Sequence, residues 1–373
     1  MKILYAIQGT GNGHMCRAAE VLPHFMRHAR VEVLVSGTQV DVALPFSVRH
    51  RCTGLGLVVD RKGGVDRWAT LRAAFQGDFI GEVKRLPVED YDLVVNDFEP
   101  VSAWAARWRN VPCISLSHQA AVLNDMAPQP LVAHRAGMAI LRHFAPARKA
   151  FGFHFARYDR NIFTPVIRRA VRECRIQDHG HITVYLPSYS DKAVIEVLSK
   201  IGGTGWEVFS KRARRAYAYG NVRVSPVQDD QFVRSMANSS GVLCGAGFET
   251  PAEALYLGKR LLVTPMAGQY EQYCNAAALA KLGVPSIPRL HPENLEALTA
   301  WLKSGPRIPV NYPDNARSVV DEVLSAFCKM VGQPGDQGEA SPMGMFAGHV
   351  GFTAQLLDSG NMAGSAGDGP TRC

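Results

Sequence analysis

The feature that most constrains the fold is the stretch 241–264, in which two apolar segments flank a glycine turn and a helical pattern. Gly245 and Gly247 form the turn, and Thr250 suits an N-cap because proline, which is favoured at the first helical position, follows it. Glu253 stands where a capping-box glutamate reaches back to the cap. The free N–H groups of such a helix end bind anions, and glycine lets a phosphate approach the backbone. The stretch therefore predicts a pocket for a nucleoside diphosphate.

The start of the chain repeats this order of elements. Residues 2–8 are apolar, residues 9–14 form a glycine-rich loop, and a helical pattern follows over residues 16–27. Strand, glycine turn and helix open a doubly wound fold. Strands and helices alternate again from residue 181, which predicts an α/β protein of two facing Rossmann-like, doubly wound domains with a cleft between them. A length of 373 residues with 47% hydrophobic content is enough for two cores.

His14 is the first candidate for chemistry. It stands where a dinucleotide fingerprint needs glycine, so the loop gives little support for NAD binding. The residue falls at the carboxyl edge of the predicted sheet, where open α/β folds bind ligands. Its imidazole can act as a general base at neutral pH, or it can be a hydrogen-bonded histidine of the helix start. Asp97 and His118 end later strands at the same edge, and Asp97 either orients His14 or caps the helix that follows.

The predicted organisation has two domains, a crossing, a terminal helix and a tail. The tail is rich in glycine and has no sustained period, so we expect it to be disordered. The predicted parts are a first Rossmann-like domain at residues 1–157, a crossing at 158–165, a second Rossmann-like domain at 166–310, a helix at 311–330 and the tail at 331–373.

The formal net charge of +8 suggests an acidic partner, and the excess is concentrated in residues 131–175. Three interpretations of this basic segment are a solvated basic face, a contact with an anionic membrane surface, and nucleic-acid binding. No RNA-binding or zinc-finger signature accompanies the basic residues, so nucleic acid is not an expected partner.

The remaining patterns concern the location of the protein in the cell and the use of its cysteines. No apolar run approaches the roughly 18 residues of a membrane-spanning helix, and the start has no signal-peptide cleavage pattern. We therefore expect a cytoplasmic protein, with any peripheral membrane contact on the inner face. The eight cysteines include no Cys-x-x-Cys pair, which argues against a zinc site and a disulfide framework.

The motifs together resemble those of a known family. They are Gly9-x-Gly11-x-Gly13-His14, Gly247-x-x-Thr250-x-x-Glu253, Gly258-Lys259, Pro265 and Gln269-x-x-Gln272-x-x-Asn275-Ala276. Over residues 1–330 the chain resembles the GT-B nucleotide-sugar glycosyltransferases. It is most similar to the branch that contains the lipid-II-forming N-acetylglucosaminyltransferase and the UDP-glucuronosyltransferase-like enzymes.

This resemblance implies a role for each matching residue. His14 would be the base, oriented by Asp97, and Gly11, Gly13 and His118 would form the acceptor-side loop region. On the donor side, Gly245, Gly247 and Thr250 would bind the diphosphate, Val227 and Gln228 the nucleobase, Glu253 the ribose, and Gln269, Glu271 and Gln272 the sugar. One departure is Leu186-Pro187-Ser188-Tyr189-Ser190, which replaces the second glycine loop of the family.

The resemblance thus implies transfer of a sugar from a nucleoside-diphosphate sugar, in particular a UDP-sugar, to an acceptor hydroxyl. We expect inversion by single displacement, with no metal or other cofactor, because the helix end and loop amides would stabilise the leaving diphosphate. The acceptor could be a lipid, a glycan or a small molecule. Two alternatives share the donor pocket: a UDP-sugar 2-epimerase, and a non-catalytic protein that binds nucleotide sugars.

Overall fold

A computed structural model describes residues 1–9, 12–37, 44–55, 78–130 and 135–332 of the chain. The strands of these residues form two sheets, one in each half of the chain. The first sheet consists of β1 (Lys2–Gln8), β2 (Arg30–Ser36), β3 (Val48–Cys52), β4 (Leu93–Asp97), β5 (Cys113–Ser117), β6 (Lys149–Phe153) and β7 (Ile162–Phe163). The second consists of β8 (Ile182–Tyr185), β9 (Trp206–Ser210), β10 (Tyr217–Tyr219), β11 (Val222–Pro226), β12 (Gly241–Gly245) and β13 (Arg260–Thr264).

The first sheet is parallel throughout and has the order β3-β2-β1-β4-β5-β6-β7. The chain winds outward from β1 in one direction and then resumes beside β1 with β4 in the other. The second sheet has the order β10-β11-β9-β8-β12-β13, in which only the β10–β11 pair is antiparallel. Both orders reverse at the first strand of their half, and the predicted pair of doubly wound domains is confirmed.

Helices lie between the strands and cover the sheets. Residues 3–7 of β1 are fully buried, because helices shield both faces of a parallel sheet. The helices of the first half are α1 (Asn12–Phe25), α2 (Phe79–Arg85), α3 (Pro100–Trp108), α4 (His118–Val122) and α5 (Arg135–Phe144). Those of the second are α6 (Arg169–Arg172), α7 (Asp191–Leu198), α8 (Asp229–Asn238), α9 (Glu249–Tyr256), α10 (Tyr270–Lys281), α11 (Leu295–Ser304) and α12 (Ala316–Val331).

Three short strands of the first sheet were not evident from the sequence. β3 and β6 each include basic residues, and β6 also contains Gly152, so neither shows a continuous apolar run. β7 has two residues and lies inside the segment 158–165 that we predict as the crossing between domains. Of the tail at 331–373 that we expect to be disordered, residues 333–373 lie outside the described residues.

The last helix ties the end of the described chain to its beginning. α12 packs against α1, and both helices contribute buried side chains to one hydrophobic cluster. Leu22 and Phe25 on α1 and Val319 and Val323 on α12 are all fully buried there. The C-terminal helix therefore belongs to the core that holds α1, the helix that carries His14.

Replacing Val323 with alanine tests this packing. The change removes two buried methyl groups and leaves a small cavity, so we expect the free energy of unfolding to fall by about 2 kcal/mol. Chemical denaturation followed by circular dichroism measures the loss. Alanine at the exposed neighbour Glu322 is the control and should change stability little. An equal effect of both substitutions would contradict a packed α1–α12 interface.

Candidate active site

His14 and Asp97 meet at the carboxyl edge of the first sheet. Nδ1 of His14 lies 2.9 Å from Oδ1 of Asp97, which is the last residue of β4 and is fully buried. β1 and β4 are neighbours, with Ile7 opposite Asp97, so the start of α1 and the end of β4 lie side by side. Glu99, rather than Asp97, holds the N-cap position of α3. The geometry is therefore that of a carboxylate orienting an imidazole.

In the pair of His14 and Asp97, the charge of each residue favours the ionised form of the other. Burial alone would lower the pKa of His14, but the charge of Asp97 and its hydrogen bond outweigh burial, so the pKa lies above its usual value. Burial would raise the pKa of Asp97, but the nearby charges of Arg17 and His14 hold it below the usual value. An ionised Asp97 only accepts hydrogen bonds, so Nδ1 of His14 carries the hydrogen. In the neutral ring Nε2 then has the lone pair that a general base needs, and the raised pKa makes this nitrogen the stronger base.

Arg17 completes this cluster, and the sequence analysis missed it. The guanidinium is 3% exposed and donates from Nη2 to Asp97 Oδ1 at 2.7 Å and to Asp97 Oδ2 at 2.8 Å. It also donates from Nη1 to Oε1 of Glu249, a residue of the second domain. His14 and Arg17 are three residues apart in one helix, a spacing that places them on one face. That spacing was available in the sequence.

The helix of the motif Gly247-x-x-Thr250-x-x-Glu253, called the donor motif below, begins at a different residue from the one predicted. α9 starts at Glu249 with Phe248 at the N-cap position, and within the described residues no side chain caps it. The predicted N-cap role of Thr250 and the capping box of Glu253 are therefore wrong. Phe248 stacks on His118 with ring centroids 4.0 Å apart and planes 6° apart, and this packing sets where the helix starts. First-turn N–H groups without a side-chain cap suit a bound anion.

The carboxylate of Glu253 instead accepts hydrogen bonds from Arg168, which belongs to the basic segment 131–175. The carboxylate is 2% exposed and accepts from Nε of Arg168 at 2.6 Å and from Nη2 at 2.7 Å. Arg168 also contacts Asp229. Burial raises the pKa of Glu253, and the charge of Arg168 offsets only part of this rise. Arg168 is thus an internal partner of the donor motif rather than part of a solvated basic face.

The glycines of the donor motif leave their backbone open. A Cβ atom added at Gly247 would meet no atom within 4 Å, and at Gly245 the nearest is Oε1 of Gln272 at 3.6 Å. Both glycines are partly exposed, as is Thr250 in the first turn of α9. A group as large as a phosphate can therefore reach this backbone.

The polar residues at the start of α10 include the three predicted sugar contacts. Gln269 holds the N-cap position, and its Oε1 accepts from Nε2 of Gln272 at 2.7 Å. Oε1 of Gln272 accepts from the N–H of Met266 at 2.8 Å. Glu271 points to the first domain, where its Oε2 accepts from Nε2 of Gln119 at 3.0 Å. The three predicted sugar-contacting residues therefore lie together beside the interface.

His118 joins the two domains. Its Nδ1 lies 2.8 Å from the carbonyl oxygen of Phe153, and its Nε2 lies 2.7 Å from Oδ1 of Asn275. Nδ2 of Asn275 donates to the carbonyl of Ala246 in the glycine turn at 3.0 Å. Both ring nitrogens of His118 thus have protein partners. The structure places the residue at the predicted edge and gives it an interdomain contact there.

The other predicted positions are more peripheral. Val227 is partly buried after β11, and Gln228 is exposed at the N-cap position of α8. Gly13 lies in the first turn of α1, where a Cβ atom would come 2.4 Å from Oε2 of Glu249. Gly11 lies outside the described residues. Gly13, in the first turn of α1, therefore lies directly against the first residue of α9.

Comparison with known proteins identifies the family. The family model described as glycosyl transferase family 1 matches residues 1–306. The chain belongs to this family. Sugar transfer is thus the reaction class of this enzyme, as the resemblance implied. A search of curated proteins found no match to the sequence of this glycosyltransferase.

Solved structures agree on the fold. The spinosyn forosaminyltransferase SpnP superposes with a TM-score of 0.54 at 13% identity, over 89% of this chain and 100% of that one. UGT89C1 of Arabidopsis thaliana, complexed with quercetin, gives 0.53 at 12% identity over 95% and 99%. MurG of Acinetobacter baumannii gives 0.52 at 16% identity over 88% and 99%. The predicted GT-B fold of the glycosyltransferase is confirmed.

The first domain of the glycosyltransferase contains a cavity of about 770 Å³. β5, β6, α4 and α5 surround it, and its wall includes Phe98, which directly follows Asp97, and Gln119, which contacts Glu271. Phe98 has a φ of 56°, an uncommon conformation for a bulky residue, and stacks on Phe144. Basic side chains outnumber the acidic one in the lining: Arg107, Arg142, Arg148 and Lys149 against Asp125.

Two properties of the described residues concern membranes and metals. Within the described ranges, no helix has the length and apolar character to cross a membrane. Among the same residues, no three His, Cys, Asp or Glu side chains come together as metal ligands. Part of the basic segment is internal, since Arg172, like Arg168, is engaged by the protein and donates to the carbonyl of Tyr312 at 3.1 Å.

The contact between His14 and Asp97 predicts how the pKa of His14 changes when Asp97 is replaced. In Asp97→Asn the charge and hydrogen bond that most raise the pKa of His14 are gone. Burial and Arg17 still lower the pKa, and only the charge of Glu249 still raises it. We therefore expect the pKa of His14 to fall below that of an exposed histidine, about 6.5. NMR of histidine-labelled wild-type and Asp97→Asn protein follows the titration of His14. A His14 midpoint that does not move would show that another group sets its charge.

Proposed function

We propose that this glycosyltransferase moves a sugar from a nucleoside-diphosphate sugar, with UDP as the preferred nucleotide, to an acceptor hydroxyl. The proposed reaction is an inverting, metal-independent single displacement. The observation that carries the proposal is the start of α9. Its first turn lacks a side-chain cap among the described residues, and the backbone of Gly245 and Gly247 before it is accessible. Glu249, the first residue of α9, contacts Arg17 in the cluster with Asp97 and His14.

The donor would lie along the second domain. The backbone from Gly245 to Thr250 would hold the diphosphate through N–H groups and the positive end of the α9 dipole. Val227 and Gln228 would contact the base, and Gln269, Glu271 and Gln272 the sugar hydroxyls. The sugar would then lie at the domain interface, because Glu271 already contacts Gln119 there.

His14 would act as the general base. Its Nε2 takes the proton of the acceptor hydroxyl while that oxygen bonds to the anomeric carbon. The bond from the anomeric carbon to the diphosphate oxygen breaks, and the electron pair stays on the diphosphate. The N–H groups at the start of α9 stabilise this charge, and such donors are commonly worth about 3–4 kcal/mol each. Asp97 remains ionised and stabilises the imidazolium of His14.

The cavity of the first domain supports an acceptor site. Its wall includes Phe98, which follows Asp97, and Gln119, which contacts Glu271, so we propose that an acceptor bound in it extends from there towards His14 and the donor sugar. Gln119 is 4% exposed, and its Oε1 has no hydrogen-bond partner among the described groups. A buried acceptor atom of this kind favours a ligand that donates a hydrogen bond. A hydroxyl-bearing acceptor satisfies that requirement.

Replacing His14 with alanine tests the base. A panel of nucleotide sugars first identifies the donor by calorimetry, and nucleotide release then reports turnover in the presence of EDTA. We expect turnover to fall by about 10²- to 10⁴-fold, because general-base catalysis is lost. The dissociation constant of the donor should change less than about threefold, since His14 contacts the acceptor.

Three other outcomes would contradict the proposal. Equal loss of donor binding and turnover would remove His14 from the role of base. Release of free nucleotide and an altered sugar from donor alone would indicate a 2-epimerase. Donor binding without turnover against any acceptor would indicate a non-catalytic nucleotide-sugar protein.

The proposed ribose contact of Glu253 needs a test that is separate from folding, because Glu253 also pairs with Arg168. Hydrogen bonds to a charged group contribute about 1.5–3 kcal/mol, so the wild type should bind UDP at least about tenfold more tightly than 2′,3′-dideoxy-UDP. In Glu253→Gln that preference should shrink to about threefold or less. A preference that survives the substitution would make Glu253 a partner of Arg168 only.

A further inference from the structure

Arg17 holds the carboxylate of the base pair in one orientation. Its Nη2 donates to both oxygens of Asp97, and its Nε donates to Oδ2 at 3.2 Å. The carboxylate cannot turn about its bond without breaking these contacts, and Oδ1 is the oxygen that faces Nδ1 of His14. The guanidinium is buried and also lies over the ring of Phe153, with 5.5 Å to the centroid. Arg17 therefore fixes the direction in which His14 presents its other nitrogen.

The partner of Arg17 in the second domain is held more weakly than Asp97. The side chain of Glu249 is 25% exposed and accepts a single hydrogen bond from Arg17, whereas Asp97 is fully buried and accepts three. Glu249 is the first residue of α9, and its carboxylate lies against Gly13. It thus occupies the space between the start of α1 and the start of α9.

A diphosphate at the start of α9 would bring a second negative group into this space. Two like charges within a few ångströms repel each other, most strongly where solvent is partly excluded. Glu249 has solvent into which it can turn, and Arg17 does not. A guanidinium also binds a phosphate as readily as a carboxylate.

We propose that Arg17 is the positioning residue of the catalytic base, and that Glu249 is a resident anion which the donor diphosphate displaces from Arg17. This inference rests on the proposed function, because the displacing anion is the donor. In the donor-free protein Arg17 bridges Asp97 to Glu249. In the donor complex it bridges Asp97 to the phosphate, so donor binding and base alignment share one guanidinium.

Glu249→Gln tests the displacement, with UDP as the probe and uridine as its phosphate-free counterpart. The amide removes the competing charge, so we expect UDP to bind about five- to tenfold more tightly than to the wild type. Uridine affinity should not change. Glu322→Gln, an equal charge change on the exposed face of α12, is the matched control. Glu249→Ala serves as a second variant, and it should act in the same direction.

Arg17→Lys and Arg17→Met test the positioning. Methionine should weaken UDP binding about tenfold and lysine less, because lysine keeps the charge. Both should lower kcat, since a lysine cannot hold the two Asp97 oxygens as a fork does. Arg17 lowers the pKa of His14, so in Arg17→Met the acidic limb of the rate profile should move to higher pH. Arg17→Lys keeps the charge, so a fall in its kcat with little movement of this limb would report the lost orientation of Asp97 and not the lost charge.

The failures are distinguishable. If the wild type binds neither UDP nor any other nucleoside diphosphate, the proposed function fails and this inference fails with it. If the wild type binds UDP but Glu249→Gln and Glu249→Ala leave its affinity unchanged or weaker, the displacement is wrong and the donor site stands. If kcat and the pH profile survive in Arg17→Met, Arg17 does not position the base.

Discussion

The buried carboxylate of Asp97 is the charge on which the arrangement of the site depends. A charge without solvent needs partners, and Asp97 obtains them from one helix, where His14 and Arg17 are a single turn apart. The same carboxylate thereby sets the tautomer of the histidine and keeps the arginine buried. Since β4 pairs with β1, the strand that leads into this helix, the sheet order itself creates the cluster.

Three contacts between the domains link the surroundings of the proposed base to the proposed donor side. Arg17 meets Glu249, Gln119 meets Glu271, and His118 meets Asn275. Each pair joins a residue near the base to a residue of the donor motif or of α10. A shift of one domain against the other would therefore change the position of the base and the donor-side groups together.

Long-range parts of the site were predictable where topology decides them, and local parts failed where packing decides them. The meeting of His14 and Asp97 follows from strand order and from the rule that parallel strands end at one edge. The N-cap prediction for Thr250 rested on local preference, which the stacking of Phe248 on His118 overrides. The pairing of Arg168 with Glu253 joins residues 85 positions apart and leaves no local pattern.

The contact between Arg168 and Glu253 also bears on how a donor could be recognised. Each oxygen of an ionised carboxylate has two lone pairs, and Arg168 uses one on each, so two remain for ribose hydroxyls. The burial that raises the pKa of Glu253 favours the neutral form, and Arg168 opposes this by favouring the ionised one. An ionised Glu253 held in place by Arg168 accepts hydrogen bonds without reorganising. The arginine therefore serves the fold and the proposed ribose contact through one pair of hydrogen bonds.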